Sequence, residues 1–218
     1  MTARLSEPFL EPPVSFDEFI AGLPESSEFR YELHQGRIIE MPKPRGKHSK
    51  VAGFAIKKLN NAIDAAQLPY FIPRECIVRS RDGESGYEPD VIVLDEPALI
   101  DEPQWESSSV LTLGKSIKLI VEVVSTNWRI DYAKKLADYE DLGIPEYWII
   151  DYAALGGRRF IGNPKQPTVT ICTLIDAEYE LQPFRGREPI ISAIFPALGL
   201  TAAQILQTEA EQSLQAEQ

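Results

Sequence analysis

Two acidic residues have the type and position to hold a metal ion. Asp90 opens an apolar run from Val91 to Leu94, and Glu122 interrupts a second apolar run from Leu119 to Val124. An ionised carboxylate in a buried strand is costly unless it is paired or bound to a metal. If the two strands are neighbours, both carboxylates can reach one hard cation such as Mg²⁺, which prefers oxygen ligands.

The segment after the second run adds a lysine. Asp131, Lys135 and Tyr139 are spaced four residues apart, so they share one face of the predicted helix. A lysine beside a metal-bound phosphodiester can position the attacking water or stabilise the charge of the transition state. The residues alone therefore predict metal-assisted hydrolysis of a phosphate ester.

Predicted helices and strands must bring these residues together. The stretch from Ile117 to Asp151 predicts a strand, a charged amphipathic helix and a second strand. Upstream, a capping-box spacing at Ser15 and Glu18 predicts a short helix, and the turn His34-Gln35-Gly36 predicts a hairpin that contains Glu32. Further predictions are a helix around residues 51–63, a strand over 70–79, a polar surface insertion over 95–115, and an antiparallel meander with runs near 159–161, 168–174 and 179–181.

Length and composition suit one globular domain with extensions. The chain has 218 residues, of which 44% are hydrophobic, and a formal net charge of -11. We expect a disordered N-terminal extension over residues 1–14, one domain over residues 15–205 and an acidic tail over residues 206–218. No apolar stretch has the length of a signal peptide core or a membrane span, and two cysteines suggest no disulfide framework. We therefore expect a cytoplasmic protein without membrane contact.

The charge is unevenly distributed, which bears on nucleic-acid binding. The net negative charge argues against broad coating of nucleic acid. Between residues 37 and 58, however, one acid, Glu40, is outnumbered by basic residues, which are Arg37, Lys43, Arg45, Lys47, Lys50, Lys57 and Lys58. This segment is either an ordinary solvated face or a surface that contacts the DNA backbone.

Several motifs, in this order, resemble a known family. They are YELHQGRIIEMP, His48 before a long helix, EPDVIVLD, LIVEVVS and DYAKKLADYEDLGIPEYWIID. The pattern is similar to the PD-(D/E)xK nuclease superfamily and, more narrowly, to its Uma2 (DUF820) endonucleases, over about residues 15 to 205. The last motif is the most specific of the set.

The resemblance implies an α/β (α+β) fold with a restriction-endonuclease-like core. A mixed central sheet would be flanked by helices, with an extra N-terminal hairpin and a C-terminal β-meander. It also implies that Mg²⁺ or Mn²⁺ is held by Asp90, Glu122 and the backbone carbonyl of Val123, and that DNA is the substrate.

The lysine of the superfamily lies two residues after the glutamate, where this chain has Val124. In Uma2-like members the lysine comes from the following helix, which implies Lys135 here. The adjacent Lys134 would point about 100° away around the helix. The resemblance also implies accessory roles for Glu32, His48 and Tyr139.

Simpler interpretations of these residues stay open. Asp90 could be a strand cap, Lys135 a solvated helix lysine and His48 a helix cap, while Glu32 could pair with Arg30 or Arg37. The leading interpretation is a metal-dependent endonuclease that hydrolyses DNA. The alternatives are a non-catalytic binding or oligomerisation module of the same fold and a hydrolase of other phosphate esters. A homodimer is compatible with each.

Overall fold

The computed structural model describes residues 12–24, 26–44 and 46–207. The predicted N-terminal extension and acidic tail therefore lie mostly outside the described residues. Eleven strands occur in the described part, in chain order β1 (Phe29–His34), β2 (Arg37–Pro42), β3 (Tyr70–Phe71), β4 (Ile77–Arg79), β5 (Gly86–Tyr87), β6 (Val91–Asp95), β7 (Val110–Leu111), β8 (Ile117–Val123), β9 (Glu146–Asp151), β10 (Thr168–Ile175) and β11 (Glu178–Phe184).

The α-helices of the described part are short except for one of 21 residues. They are α1 (Phe16–Ala21), α2 (Gly46–Ala66), α3 (Trp105–Ser108), α4 (Lys135–Leu142), α5 (Arg158–Ile161) and α6 (Ala202–Leu206). A π-helical turn, Ile130–Lys134, leads directly into α4, and 3-10 turns span Glu96–Asp101 and Gly114–Ser116. In the described residues, no helix has the length and apolar character that crossing a membrane requires.

The strands form two mixed sheets. A six-stranded sheet has the order β11-β10-β9-β8-β6-β3, and a five-stranded sheet has the order β2-β1-β5-β4-β7. Within the larger sheet β8 and β9 are parallel, as the strand–helix–strand prediction requires, and β6 is antiparallel to β8. The fold class predicted from the sequence is thus confirmed, including the N-terminal hairpin β1–β2 and the meander β9–β10–β11.

Some local predictions were wrong. The run over 70–79 forms two separate strands, β3 and β4, which belong to different sheets. Residues 159–161 lie in the helical turn α5, so β9 takes their place as the first strand of the meander. The polar stretch over 95–115 contains α3 and β7, and the apolar residues Val110 and Leu111 of β7 are buried.

The larger sheet is covered on both faces. Leu119, Val121 and Val123 of β8 pack in one apolar cluster with α2 and α6, while Ile120 and Val124 pack in another that includes Tyr139 of α4. A central strand covered on both faces has a nearly continuous apolar sequence, as β8 has. Since side chains alternate along a strand, Glu122 lies on the same face as Ile120 and Val124. The carboxylate therefore faces α4.

Candidate active site

Asp90 is positioned by the strand that neighbours Glu122. It precedes β6, and its Oδ2 accepts a hydrogen bond of 2.8 Å from the backbone N–H of Val123 in β8. Because β6 and β8 pair antiparallel, with Val91 opposite Val121, Asp90 lies at the end of β8 that carries Glu122. The structure thus brings the two acids together, as their positions beside apolar runs predict.

Glu122 is buried and accepts two hydrogen bonds at one oxygen. Nζ of Lys135 donates to its Oε1 over 2.8 Å, and the hydroxyl of Tyr139 donates to the same oxygen over 3.1 Å. Among the described residues, no hydrogen bond reaches Oε2. Burial raises the pKa of Glu122 to about 8, although the charge of Lys135 opposes this shift.

Lys135 bridges two carboxylates from different parts of the chain. Besides Glu122, its Nζ donates to Oε1 of Glu32 over 2.9 Å. The lysine is 4% exposed, which excludes the solvated alternative for its side chain. Burial acts to lower the pKa of Lys135, but the charges of Glu122 and Glu32 outweigh burial and raise it above its ordinary value. Lys135 is therefore a fixed cation at neutral pH.

Glu32 lies in β1 with almost no exposure. Its Oε1 also accepts from the backbone N–H of Glu88, and its Oε2 lies 2.7 Å from Nε2 of His34. Burial acts to raise the pKa of Glu32, but Lys135 and His34 lower it to about 2. The alternative pairing of Glu32 with Arg30 or Arg37 is not found in the structure, where Glu32 pairs with Lys135.

Arg30 is a site residue that the sequence suggested only as an alternative partner of Glu32. Its Nη1 donates to Oδ1 of Asp90 over 2.9 Å, and its Nε lies 3.1 Å from Oε1 of Glu88. Arg30 and Glu32 are two residues apart in β1 and therefore face the same side of that strand. The side chain alternation could have placed Arg30 beside the acids, but it could not show which acid it meets.

His48 lies in the first turn of α2, and its Nε2 is 3.3 Å from Oδ2 of Asp90. Burial acts to lower the pKa of His48, but the hydrogen bond and charge of Asp90 raise it overall, with the backbone of Val123 also contributing. The pKa of Asp90 is lowered to about 2, because His48, Arg30 and the Val123 N–H outweigh the effect of burial. Asp90 is thus ionised and its two oxygens are both in contact with protein donors.

Asp131 is a further acid of this site. It was expected to share a helical face with Lys135 and Tyr139, but it was not among the predicted site residues. It lies in the π-helical turn and is 8% exposed. Burial raises the pKa of Asp131 to about 7, against the charge of Lys135. The four-residue spacing was the available signal, but it could not reveal a π-helical turn or the burial of this carboxylate.

These side chains line one cavity of about 740 Å³. Its walls include Asp90, Glu122, Asp131, Glu32, Lys135, His48, Arg30 and the backbone segment at Val123. Lys43 and the loop over residues 125–127 form part of its rim. A neighbouring cavity of about 750 Å³ shares Arg30 and Lys43 with it. The predicted site residues therefore lie together, except that Tyr139 is fully buried behind Glu122 and contacts the cavity only through that carboxylate.

The chemistry of this cavity suits a hard divalent cation. Three buried acids, Glu32, Glu122 and Asp131, and the partly buried Asp90 face two permanent cations, Arg30 and Lys135. The pKa values of Glu122 and Asp131 are raised to about 8 and about 7. A divalent cation can replace the protons that such acids retain. No group of three or more His, Cys, Asp or Glu side chains in the described residues is arranged as a ready metal site. A Mg²⁺ site, however, needs only one or two carboxylates with several waters.

Comparisons with known proteins agree with this fold. A family model for Uma2, described as "Putative restriction endonuclease", matches residues 16–203. A crystal structure from Anabaena variabilis ATCC 29413, described as "a putative nuclease belonging to DUF820", is similar with a TM-score of 0.68 and 20% sequence identity. That similarity covers 89% of this chain and 98% of the other, and it shows the shared fold. No curated protein matches the chain.

Proposed function

Because the chain belongs to the Uma2 family of nuclease-like proteins, we propose that it is a metal-dependent endonuclease that hydrolyses phosphodiester bonds of DNA. The observation that carries this proposal is the position of Lys135, whose buried ammonium lies 2.8 Å from Glu122 within the cavity that also contains Asp90. A lysine and two acids in one cleft are the groups that phosphodiester hydrolysis needs.

Asp90, Glu122 and the carbonyl of Val123 would hold Mg²⁺ or Mn²⁺, with Glu32 supporting the arrangement through Lys135. The bound ion supplies a Lewis acid and lowers the pKa of a water molecule. Asp90 could ligate the ion through Oδ1, because that oxygen accepts one hydrogen bond, from Arg30, and keeps a second lone pair, while Oδ2 is near His48 and the Val123 N–H.

Lys135 contributes a positive charge rather than a base. Its raised pKa keeps the ammonium protonated at neutral pH, so Nζ can donate to the attacking water or to a non-bridging phosphate oxygen but cannot accept a proton. Tyr139 and Glu32 hold this lysine and its partner Glu122 in place through the contacts described above. They are therefore positioning residues.

Basic residues at the rim are suited to the DNA backbone. Lys43 is exposed at the rim of the cavity, and Lys47 and Lys50 are exposed in the first turns of α2, close to His48. Contacts of this kind give affinity and orientation without sequence information. They also provide local positive potential on a chain whose net charge is -11.

A cleavage assay tests the proposal. Supercoiled plasmid and single-stranded DNA are incubated with Mg²⁺ or Mn²⁺ and with the wild type, Asp90→Asn, Glu122→Gln and Lys135→Met. Lys134→Met is the matched control, because Lys134 pairs with Asp138 over 2.7 Å outside the acid cluster. We expect the wild type and the control to cleave and the other variants to lose activity. Equal activity in all five proteins would contradict the assignment of these site residues.

A non-catalytic binding module is a second candidate. It is favoured by the contacts of Asp90, because Arg30, His48 and the Val123 N–H already stabilise this carboxylate without a metal ion. Calorimetric titration with Mn²⁺ separates the two functions. Absence of binding at millimolar Mn²⁺, together with retention of DNA at low salt and no cleavage, would select the binding module.

One cleft can cut both strands of a duplex only in two successive steps or with a second copy of the chain. Nicked plasmid that precedes linear product indicates successive cuts, whereas direct linearisation with a sedimentation coefficient of a dimer indicates two copies. This measurement also addresses the homodimer that the sequence leaves open.

A further inference from the structure

Asp131 is a buried carboxylate without a protein partner. Its exposed fraction is 8%, and it lines the cavity that contains Glu122 and Asp90. Among the described residues no side chain or backbone donor forms a hydrogen bond or ion pair with its carboxylate. Burying an ionised group without a partner is unfavourable, so this carboxylate either retains a proton or binds a cation that replaces the proton.

The available protein cations are directed elsewhere. Lys135 follows Asp131 by four residues, the spacing of a helical ion pair, but its Nζ donates to Glu32 and Glu122. Arg30 and His48 contact Asp90. No cation in the described part of the protein therefore forms an ion pair with Asp131.

The backbone holds Asp131 firmly at the cavity wall. The N–H of Lys135 donates to the carbonyl of Ile130, five residues earlier, which is the π-helical pattern. Such a turn leaves backbone groups without their usual partners and is frequent at functional sites. Here the hydroxyl of buried Tyr147 donates to the backbone carbonyl of Asp131 over 3.0 Å. The position of this acid is thus built into the fold.

One neighbouring oxygen is also free for a ligand. Glu122 accepts the hydrogen bonds of Lys135 and Tyr139 at Oε1, and among the described residues its Oε2 accepts none. The oxygens of Asp90, by contrast, contact Arg30, His48 and the backbone. The carboxylate oxygens without protein partners are therefore on the side of the cavity formed by β8 and the π-helical turn.

We propose that Asp131 is a carboxylate ligand for the divalent cation, which it binds together with Oε2 of Glu122. This inference rests on the proposed metal-dependent function and adds a ligand that lies outside the Asp90–Glu122 pair. It assigns the π-helical turn the task of presenting that ligand.

The test measures metal binding and stability, without reference to cleavage. Mn²⁺ is titrated calorimetrically into the full chain and into Asp131→Asn, Glu122→Gln and Asp90→Asn, and Tm is recorded with EDTA and with Mn²⁺. The matched control is Asp141→Asn, because Asp141 is an exposed acid of α4 that pairs with Arg81. We expect Asp131→Asn to weaken Mn²⁺ binding at least tenfold, like Glu122→Gln, and the control to bind as the wild type does.

The Tm values distinguish a ligand from a structural acid. Removal of an unpartnered buried charge should raise the Tm of the metal-free Asp131→Asn protein by about 2–4 °C, while the rise in Tm that Mn²⁺ causes should shrink. A carboxylate that only stabilises the fold would give a lower Tm in both conditions.

Two outcomes overturn the inference in different ways. If Asp131→Asn binds Mn²⁺ as the wild type does while Asp90→Asn and Glu122→Gln do not, Asp131 is not a ligand and the proposed function stands. If the wild type itself binds no Mn²⁺ at millimolar concentration, both the inference and the proposed metal dependence are wrong.

Discussion

Nζ of Lys135 lies 2.8 Å from Oε1 of Glu122, so a lysine from the helix reaches the acid of the preceding strand. The position two residues after Glu122 is Val124, which is 1% exposed and packs in the apolar cluster around Tyr147. A lysine at that position would have to be buried among apolar side chains. The helix supplies the ammonium instead, from above the same face of the sheet.

Replacement of Lys135 should affect both activity and stability. Lys135→Met removes the only cation that contacts Glu32 and Glu122 in the described residues, apart from His34 beside Glu32. We expect cleavage to fall by about 10²-fold or more and the free energy of unfolding to fall by about 3–5 kcal/mol. Cleavage rates and urea unfolding check this, and Lys134→Met should change neither by a comparable amount. A fully active Lys135→Met protein would refute the role of this lysine.

The metal-free protein should lose stability as the pH rises from about 5 to about 8. The pKa values of Glu122 and Asp131 are raised to about 8 and about 7, so the folded state retains protons that the unfolded chain has released. Stability therefore falls with pH in this window, by up to about 1.4 kcal/mol per pH unit for each group. Glu32 and Asp90, with pKa values lowered to about 2, act in the opposite direction only at more acidic pH.

Urea unfolding in EDTA across this pH range measures the effect, and Glu122→Gln should flatten the curve. Mn²⁺ affinity should rise over the same range, because the cation must displace these protons. A stability that increases steadily from pH 5 to pH 8 would contradict the raised pKa values.

Arg30→Gln should destabilise the metal-free protein and make its stability depend more strongly on metal. The substitution leaves Asp90 without the guanidinium 2.9 Å away, and loss of one charged partner in a partly buried pair costs about 1–3 kcal/mol. A divalent cation should restore part of this loss, so Mn²⁺ should raise the Tm of this variant more than that of the wild type. Arg74→Gln, which breaks an exposed pair with Glu75, is the control and should have little effect.

Gly114→Ala tests whether α4 must keep its position. A methyl group at Gly114 would overlap the backbone carbonyl of Leu142 at the end of α4. Overpacking of this kind costs about 1–3 kcal/mol, and a shift of the helix would move Lys135 away from Glu122. Gly53→Ala in α2 is the control, since nothing lies within 4 Å of the added methyl group, and it should stabilise the chain by about 0.5–1 kcal/mol. Unchanged cleavage by a folded Gly114→Ala protein would show that the helix position is not critical.

The double substitution Lys43→Ala with Lys47→Ala should weaken DNA binding at low salt without changing Mn²⁺ affinity. Each lysine that contacts a phosphate should contribute about one unit to the salt dependence of log K, so the slope should decrease by about 2. Fluorescence anisotropy at several salt concentrations measures the DNA affinity and the slope of its salt dependence. Lys115→Ala, at an exposed pair with Asp101 lining a different cavity, is the control. An unaltered slope would exclude the rim from the DNA path.

The sequence predicted the main elements that carry the site and most of its residues. Glu122 interrupts an apolar strand, and Lys135 lies on a predicted helix at four-residue spacing from Asp131 and Tyr139. Both patterns are local in the sequence, so they can be recognised without the tertiary structure. Asp90, Glu122, Glu32, His48 and Lys135 were expected to converge and do line one cavity. Their catalytic and metal-binding roles stay predictions.

The remaining features depend on contacts between distant segments. Arg30 contacts Asp90 rather than Glu32. This choice depends on how the β1–β2 hairpin packs against β6, and the spacing of residues within β1 does not encode that packing. The carbonyl of Asp131 in the π-helical turn accepts a hydrogen bond from the hydroxyl of Tyr147 in the next strand, a contact that spacing within the turn does not encode. The burial of Val110 and Leu111 within a polar stretch likewise depends on pairing with β4.

The two ion pairs of Lys135 differ in the length of chain that each one closes. Glu122 is 13 residues away and Glu32 is 103 residues away. Loop-closure entropy grows with the logarithm of length, so the contact with Glu32 costs roughly 2 kcal/mol more in chain entropy. The acid and lysine of the segment Ile117–Asp151 can thus come together during folding before the N-terminal hairpin arrives. We predict that amide hydrogen exchange will show the hairpin opening more readily than β8 and α4, and equal protection of the two regions would count against this order.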